Sequence, residues 1–173
     1  MNANWPSSLS VQAMTEIFAR EIATWTYLDE WSVYNSSPKS DLFTTDAGYL
    51  AVLGSENIPV GFACSGVEAR VPGLSDRPDT LDVGLGMNPI FVGQRHGVEF
   101  GVAVVSYFQE NTNASYLRVV VQSWNERSLN VARNLGFKES GIHECDQNGS
   151  FIAYTILLKV TNPIQPIVNA SAV

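Results

Sequence analysis

Apolar and polar residues alternate at Leu9, Val11 and Ala13, the period of two expected of a short strand. Thr15 then has the chemistry of a helix N-cap, and Ile17, Phe18, Ile22 and Trp25 fall near helical spacing, which predicts a helix to about Thr24. Trp25 to Tyr34 is crowded with aromatic side chains, and a short helix is expected from about Ser40 to Thr45. Three strand-like runs follow. Gly48–Leu53 and Pro59–Gly66 flank the turn residues Gly54-Ser55-Glu56-Asn57, which reads as a hairpin. Thr80–Met87 is the third run, separated from the hairpin by the breaker-rich loop Arg70–Pro78 and stopped by Asn88-Pro89.

Beyond Gly97 the period changes to helical. Phe100, Val104 and Phe108, with Val105 beside them, form one apolar face ending near Glu110. Leu117–Gln122 is a continuous apolar run suited to a buried central strand. Asn125–Asn134 reads as a helix closed by Leu135-Gly136, with Gly136 fit for the left-handed position after a helix. Phe137–Glu144 and Ser150–Leu158 predict a last hairpin around Asp146-Gln147-Asn148-Gly149. The order βα(α)βββαβαββ predicts a mixed α/β (α+β) fold in one domain over residues 1–160, with a loose tail at 161–173.

Composition narrows the classes. The 173 residues are 45% hydrophobic and 16% charged, an ordinary globular make-up that excludes a disordered or fibrous chain. Ten Lys and Arg against 17 Asp and Glu give a net charge of −7, which argues against nucleic acid and anionic membranes and favours cationic partners such as amines. No run is long enough for a membrane helix, and Met1–Ser10 lacks a signal-peptide pattern. Two isolated cysteines and two histidines supply neither a disulfide framework nor a multi-histidine metal site, so a cytoplasmic, metal-free domain is expected.

Two segments bear chemistry. Leu81–Val98 joins a strand, a glycine-containing loop and a helix start, where unpaired backbone N–H groups favour phosphate. Val119–Phe137 is an apolar strand, Asn125 at a helix start, and a helix ending in Leu135-Gly136-Phe137. Together they resemble the GCN5-related N-acetyltransferase (GNAT) family, which moves acetyl from acetyl-CoA to an amine. The resemblance covers roughly Thr80–Leu158. It implies a mixed, mostly antiparallel twisted sheet of about seven strands flanked by helices.

It also implies that the main chain at Leu85, Gly86 and Met87 pairs with the pantetheine arm and that Asn125 contacts the cofactor. The family's pyrophosphate loop reads Gln/Arg-x-x-Gly-x-Gly/Ala. The ungapped register, Val92-Gly93-Gln94-Arg95-His96-Gly97, puts Val first and Arg95 in place of the first Gly. A register two residues later would put Glu99, whose charge repels pyrophosphate, at the last small position. The first is preferred, and either makes the amides from Gly93 through Gln94, Arg95, His96 and Gly97 to Val98 the donors.

The family's frequent acid, a Tyr seven residues after the Asn, is here Ala132, and its occasional Glu base, five residues before, is Val120. A thiol of pKa near 8.5 can leave without an acid, and an α-amine at roughly 7.7–8.0 needs little help from a base. Asp82 is the candidate base and Tyr154 the candidate acid, each against a purely structural alternative. Tyr27, Trp31 and Tyr34 are candidates for an aromatic wall around the acceptor amine, or for packing over the sheet. Cys64 reads as a small buried hydrophobe.

The expected function is transfer of acetyl to a primary amine, small or at a peptide or protein N-terminus, by direct attack on the thioester. A non-catalytic acyl-CoA-binding or sensing module is the alternative, and an unrelated phosphate-binding α/β domain a third. The acceptor, the acyl chain length and pairing as a homodimer stay open.

Overall fold

The computed structural model describes residues 4–35, 43–147 and 149–161. Its strands are β1 (Ser10–Ala13), β2 (Tyr49–Leu53), β3 (Pro59–Ser65), β4 (Thr80–Met87), β5 (Tyr116–Gln122), β6 (Lys138–Gln147) and β7 (Ser150–Val160). The helices are α1 (Glu16–Ile22), α2 (Gly97–Glu110) and α3 (Glu126–Asn134), with shorter 3-10 segments between elements, one of them of six residues at Asp29–Tyr34. Each expected strand is present within a few residues of its expected ends. The aromatic stretch gives the unforeseen 3-10 turn. Of the helix expected from about Ser40 to Thr45, residues 40–42 lie outside the described residues and Phe43–Thr45 are not helical; the tail beyond Thr161 also lies outside them.

The strands form one sheet in the order β1-β2-β3-β4-β5-β7-β6. Every neighbouring pair is antiparallel except β4 and β5. Local chemistry sets the helix ends. Thr15 caps α1 by accepting from the Phe18 N–H, and Gly136 takes φ +85° after α3, a conformation cheap only for glycine. On one sheet face, Val52, Ala63, Val83, Leu117, Val119 and Leu157 pack against Phe100, Val104 and Phe108 of α2 and Leu129 and Ala132 of α3. Val52, Ala63, Val104, Leu117 and Leu157 are fully buried, and each such side chain stabilises the fold by about 1.5–3 kcal/mol, less for Ala. A smaller cluster of Met14, Ala19, Ile22, Phe43, Ala51 and Leu53 seats α1 on the opposite face.

Candidate active site

The parallel ladder between β4 and β5 is short. Thr80, Leu81 and Asp82 pair with Tyr116, Leu117 and Arg118, and there the pairing stops. Beyond it, β4 continues against β3 to Met87 and β5 continues against β7 to Gln122. The facing edges of Val83–Met87 and Val119–Gln122 therefore have no ladder partner in each other. Backbone N–H and C=O groups on such an edge seek hydrogen bonds, which makes the gap a place for a ligand with amides of its own.

Asp82 sits at the last closed rung and does not fit the role of base expected of it. It is 1% exposed, and both carboxylate oxygens are engaged by guanidinium groups. Arg118 donates from Nε to Oδ1 at 2.5 Å and from Nη2 to Oδ2 at 3.1 Å, while Arg70 donates from Nε to Oδ2 at 2.6 Å. Arg118 also donates to the Ser75 carbonyl, and Arg70 reaches Asp76. A carboxylate that is itself buried and held on both oxygens, by the buried Arg118 and the partly exposed Arg70, is not placed to take a proton from a substrate amine. The alternation on β4 pointed to Asp82, but its partner in register, Arg118, decides what it does.

The loop before α2 has the backbone of a tight anion cradle. Gly93 has φ +83° and Arg95 φ +70°. Left-handed backbone at Arg95 is what the register starting at Val92 asks of it, since that register puts Arg95 where the family has glycine. The amides of Gly97, Val98 and Glu99 open the 14-residue helix α2, where no intrahelical acceptor exists for them. Gly97 has a packing reason as well, because a Cβ there would lie 2.8 Å from Val131 Cγ2 on α3. Gln94 donates its side-chain amide to the Ile90 carbonyl. His96 stacks flat on Trp5, with ring centroids 4.3 Å apart, and the Trp5 indole N–H donates to Glu99 at 2.8 Å. Trp5 escaped the sequence reading because its partners lie some ninety residues away and no local pattern links them.

At the mouth of the gap, Tyr27, Trp31 and Tyr34 reach both diverging strands. Tyr27 donates its hydroxyl hydrogen to the Met87 carbonyl at 2.8 Å, and burial pushes its phenol up to about 12. Tyr34 accepts from Asn125 Nδ2 at 3.0 Å. Asn125 is itself the N-cap of α3, with Oδ1 accepting from the Ser128 N–H at 3.1 Å. Trp124 lies beside both Trp31 and Tyr34, with centroids 6.3 and 6.4 Å away, and donates to Gln122. The segment from Tyr27 to Tyr34 thus spans the gap, tied to β4 at one end and to the β5–α3 turn at the other.

Two expectations change here. Trp31 offers an amine one face fewer, since the Arg127 guanidinium lies 4.1 Å over its ring; its indole N–H is buried without a partner. Tyr154, the expected acid, is 6% exposed and accepts from Gln122 Nε2 at 3.3 Å inside the sheet layer. Cys64 is buried as expected, and burial pushes its thiol up to about 12. Among the described residues, no group of three or more His, Cys, Asp and Glu side chains is placed to hold a metal ion, and no helix is long and apolar enough to cross a membrane.

The same frame recurs in solved structures. A chimera of the Vibrio cholerae spermidine N-acetyltransferase SpeG with hSSAT superposes with a TM-score of 0.70 at 14% identity, covering 90% of this chain and 96% of its own. A GNAT acetyltransferase from Bacillus anthracis gives 0.71 at 14% identity, with 91% and 97% covered. The ribosomal-protein-S5-alanine acetyltransferase of Vibrio fischeri gives 0.63 at 15% identity, with 91% and 96% covered. No curated protein matches the chain by sequence. The family model described as the acetyltransferase (GNAT) domain matches residues 5–138. With the split sheet and the loop before α2, this match makes the chain a member of the GNAT acetyltransferase family.

Proposed function

We propose that the chain transfers acetyl from acetyl-CoA to a primary amine by direct attack on the thioester. The observation that carries this reading is the divergence of β4 and β5 beyond Asp82 and Arg118, next to a loop whose amides open α2. The edge at Leu85, Gly86 and Met87, unpaired with β5 although the Met87 carbonyl already accepts from Tyr27, offers main-chain partners to pantetheine amides. Gly93, Arg95, His96, Gly97 and Val98 offer amides to pyrophosphate, while the Gln94 N–H already donates to the Phe91 carbonyl at 3.4 Å. Asn125 contributes through its position between α3 and Tyr34. Amines are the common acceptor class in the neighbours' names, a polyamine in one and a protein alanine in another. Tyr27, Trp31 and Tyr34 line the acceptor's approach.

No carboxylate in the gap serves as base, because its two edges carry no charged side chain. Positioning does most of the work: holding an amine near the thioester carbonyl contributes several kcal/mol. An acceptor of low amine pKa, such as an α-amine at roughly 7.7–8.0, suits this site better than a lysine side chain.

Thermal unfolding with acetyl-CoA and with ADP tests the cofactor. Acetyl-CoA at about 100 times its dissociation constant adds about 2.7 kcal/mol, a midpoint rise of roughly 5–10 °C, which ADP does not reproduce. Release of free thiol with a panel of amines then separates an enzyme from a binding module. No shift at millimolar acetyl-CoA sinks the reading, and binding without thiol release from any amine favours the module.

A further inference from the structure

When the thioester breaks, negative charge develops on sulfur, and the position of the family's usual acid is Ala132, buried in the core against α2. We propose that Tyr34 donates the hydrogen bond that stabilises the departing thiolate. The assignment rests on the acetyl-CoA reading above.

It follows from the orientation of one amide. The Ser128 N–H requires an acceptor, so the Asn125 oxygen faces Ser128 and the Asn125 nitrogen faces outward. That nitrogen donates to the Tyr34 oxygen, so the Tyr34 hydrogen has to point elsewhere, and no described residue accepts it. The hydroxyl is thus an aimed donor at Asn125, beside the arm-contacting end of the gap. Tyr34 is 39% exposed, so a ligand can reach it. The neighbouring phenols are placed differently: Tyr27 commits its hydrogen to Met87, and Tyr154 is buried against Gln122.

The chemistry balances without a resident acid. The amine lone pair forms the N–C bond, the carbonyl re-forms, the C–S bond breaks, and its electron pair leaves on sulfur. The proton shed by nitrogen passes to water, and the thiolate is protonated from water after release. Tyr34 keeps its proton throughout. Burial holds its phenol above the ordinary value, whereas a thiol sits near 8.5, so full transfer to sulfur runs uphill and a hydrogen bond is the stable arrangement. Tyr154 on β7 adds to that upward push, and Arg127 on α3 is the cation on this side, held over Trp31.

The test uses CoA itself bound to the whole chain, with its thiol titrated by thiolate ultraviolet absorbance in wild type and Tyr34→Phe. A hydrogen bond to a charged acceptor is equivalent to about 10- to 100-fold, so the bound thiol should have a pKa higher by about one to two in the variant. The same factor should appear in kcat, with KM for acetyl-CoA within about threefold, because a phenyl ring keeps the packing on Trp124. A purely packing role for Tyr34 would leave the thiol pKa unmoved. Equal thiol pKa values in the two proteins overturn the Tyr34 assignment while leaving the acetyltransferase reading intact. Failure of wild type to bind CoA at all overturns both.

Discussion

The two halves of the β4–β5 junction are built from opposite chemistry. The closed half, Thr80–Asp82 against Tyr116–Arg118, ends in a buried carboxylate clasped by Arg118 and Arg70. The open half, Val83–Met87 and Val119–Gln122, has no charged side chain on either edge, and its polar groups are main-chain amides with phenols, two indoles and two carboxamides at the mouth, where Arg127 lies over one indole. Charge fixes the vertex and neutrality marks the gap. A neutral thioester arm loses little on entering such a gap, whereas a stray carboxylate there would have to be desolvated. The largest expected effect comes from breaking the charged half. Asp82→Asn leaves Arg118 buried without its counter-ion and should cost about 3–5 kcal/mol, lowering the melting midpoint by roughly 10 °C. Replacing the pair together, Asp82→Leu with Arg118→Met, should recover most of that loss. If Asp82 were a base instead, folded Asp82→Asn at low temperature would lose kcat with little loss of stability.

The open half has a different weakness, set by pH. Burial raises the Tyr27 phenol from its ordinary value near 10 to about 12, so the folded state holds that proton more tightly than the unfolded chain does. Stability from this group is therefore intact below pH 10 and lost as pH rises through 12, by about 2–3 kcal/mol in all. Cys64, pushed up from 9 to about 12, adds in the same direction. Denaturant unfolding from pH 8 to pH 11 should show a decline that is smaller in Tyr27→Phe, whereas Asp82→Asn, which keeps both groups, should decline in parallel with wild type below its fixed deficit. A Tyr27→Phe protein that falls as steeply as wild type would mean that the phenol is not the group responsible.

Periodicity made the strands and helices legible because burial on one or two faces writes itself into local sequence. Thr15, Asn125 and Gly136 were readable for the same reason, since a cap acts within its own few residues. The seven-stranded mixed sheet and the loop followed from the family resemblance that the strand–loop–helix motifs carry, whereas the splay of β4 from β5 showed only in the strand register. What escaped were pairings across the sheet. Nothing near Asp82 announces Arg118, and nothing near Trp5 announces His96 and Glu99. The aromatic run from Trp25 was visible as an oddity, but its tie to Met87 and Asn125 required the fold to bring them together.

The phosphate loop tests whether neutrality in the gap is matched by strain beside it. Arg95 at φ +70° occupies a conformation that costs a side-chain-bearing residue about 1–2 kcal/mol. Arg95→Gly removes that cost but adds the entropy of a freer unfolded chain, about 0.5–1 kcal/mol, so a net gain of up to about 1 kcal/mol is expected. Arg95→Ala loses the same guanidinium without relieving the backbone. The comparison of the two therefore separates strain from charge: Gly should melt above Ala by about 3 °C, while both lose the same acetyl-CoA affinity if the side chain contributes. Equal melting midpoints would mean that the backbone there is unstrained.

The smallest expected effect comes from Glu99, the one carboxylate in the first turn of α2. Negative charge is welcome at a helix start, and a bound pyrophosphate would compete for the same field. The Trp5 indole N–H holds the Glu99 carboxylate at 2.8 Å, so Trp5 is a positioning residue for a group that would otherwise oppose phosphate. Trp5→Phe keeps a ring to stack on His96 but releases Glu99, and should weaken acetyl-CoA binding by about two- to fivefold, an effect that fades at high salt. Glu99→Gln should tighten binding by a similar factor and, combined with Trp5→Phe, should erase the penalty. If Trp5→Phe weakens binding equally in the Glu99→Gln background, Trp5 acts on the loop through stacking alone, and the charge at the helix start plays no part.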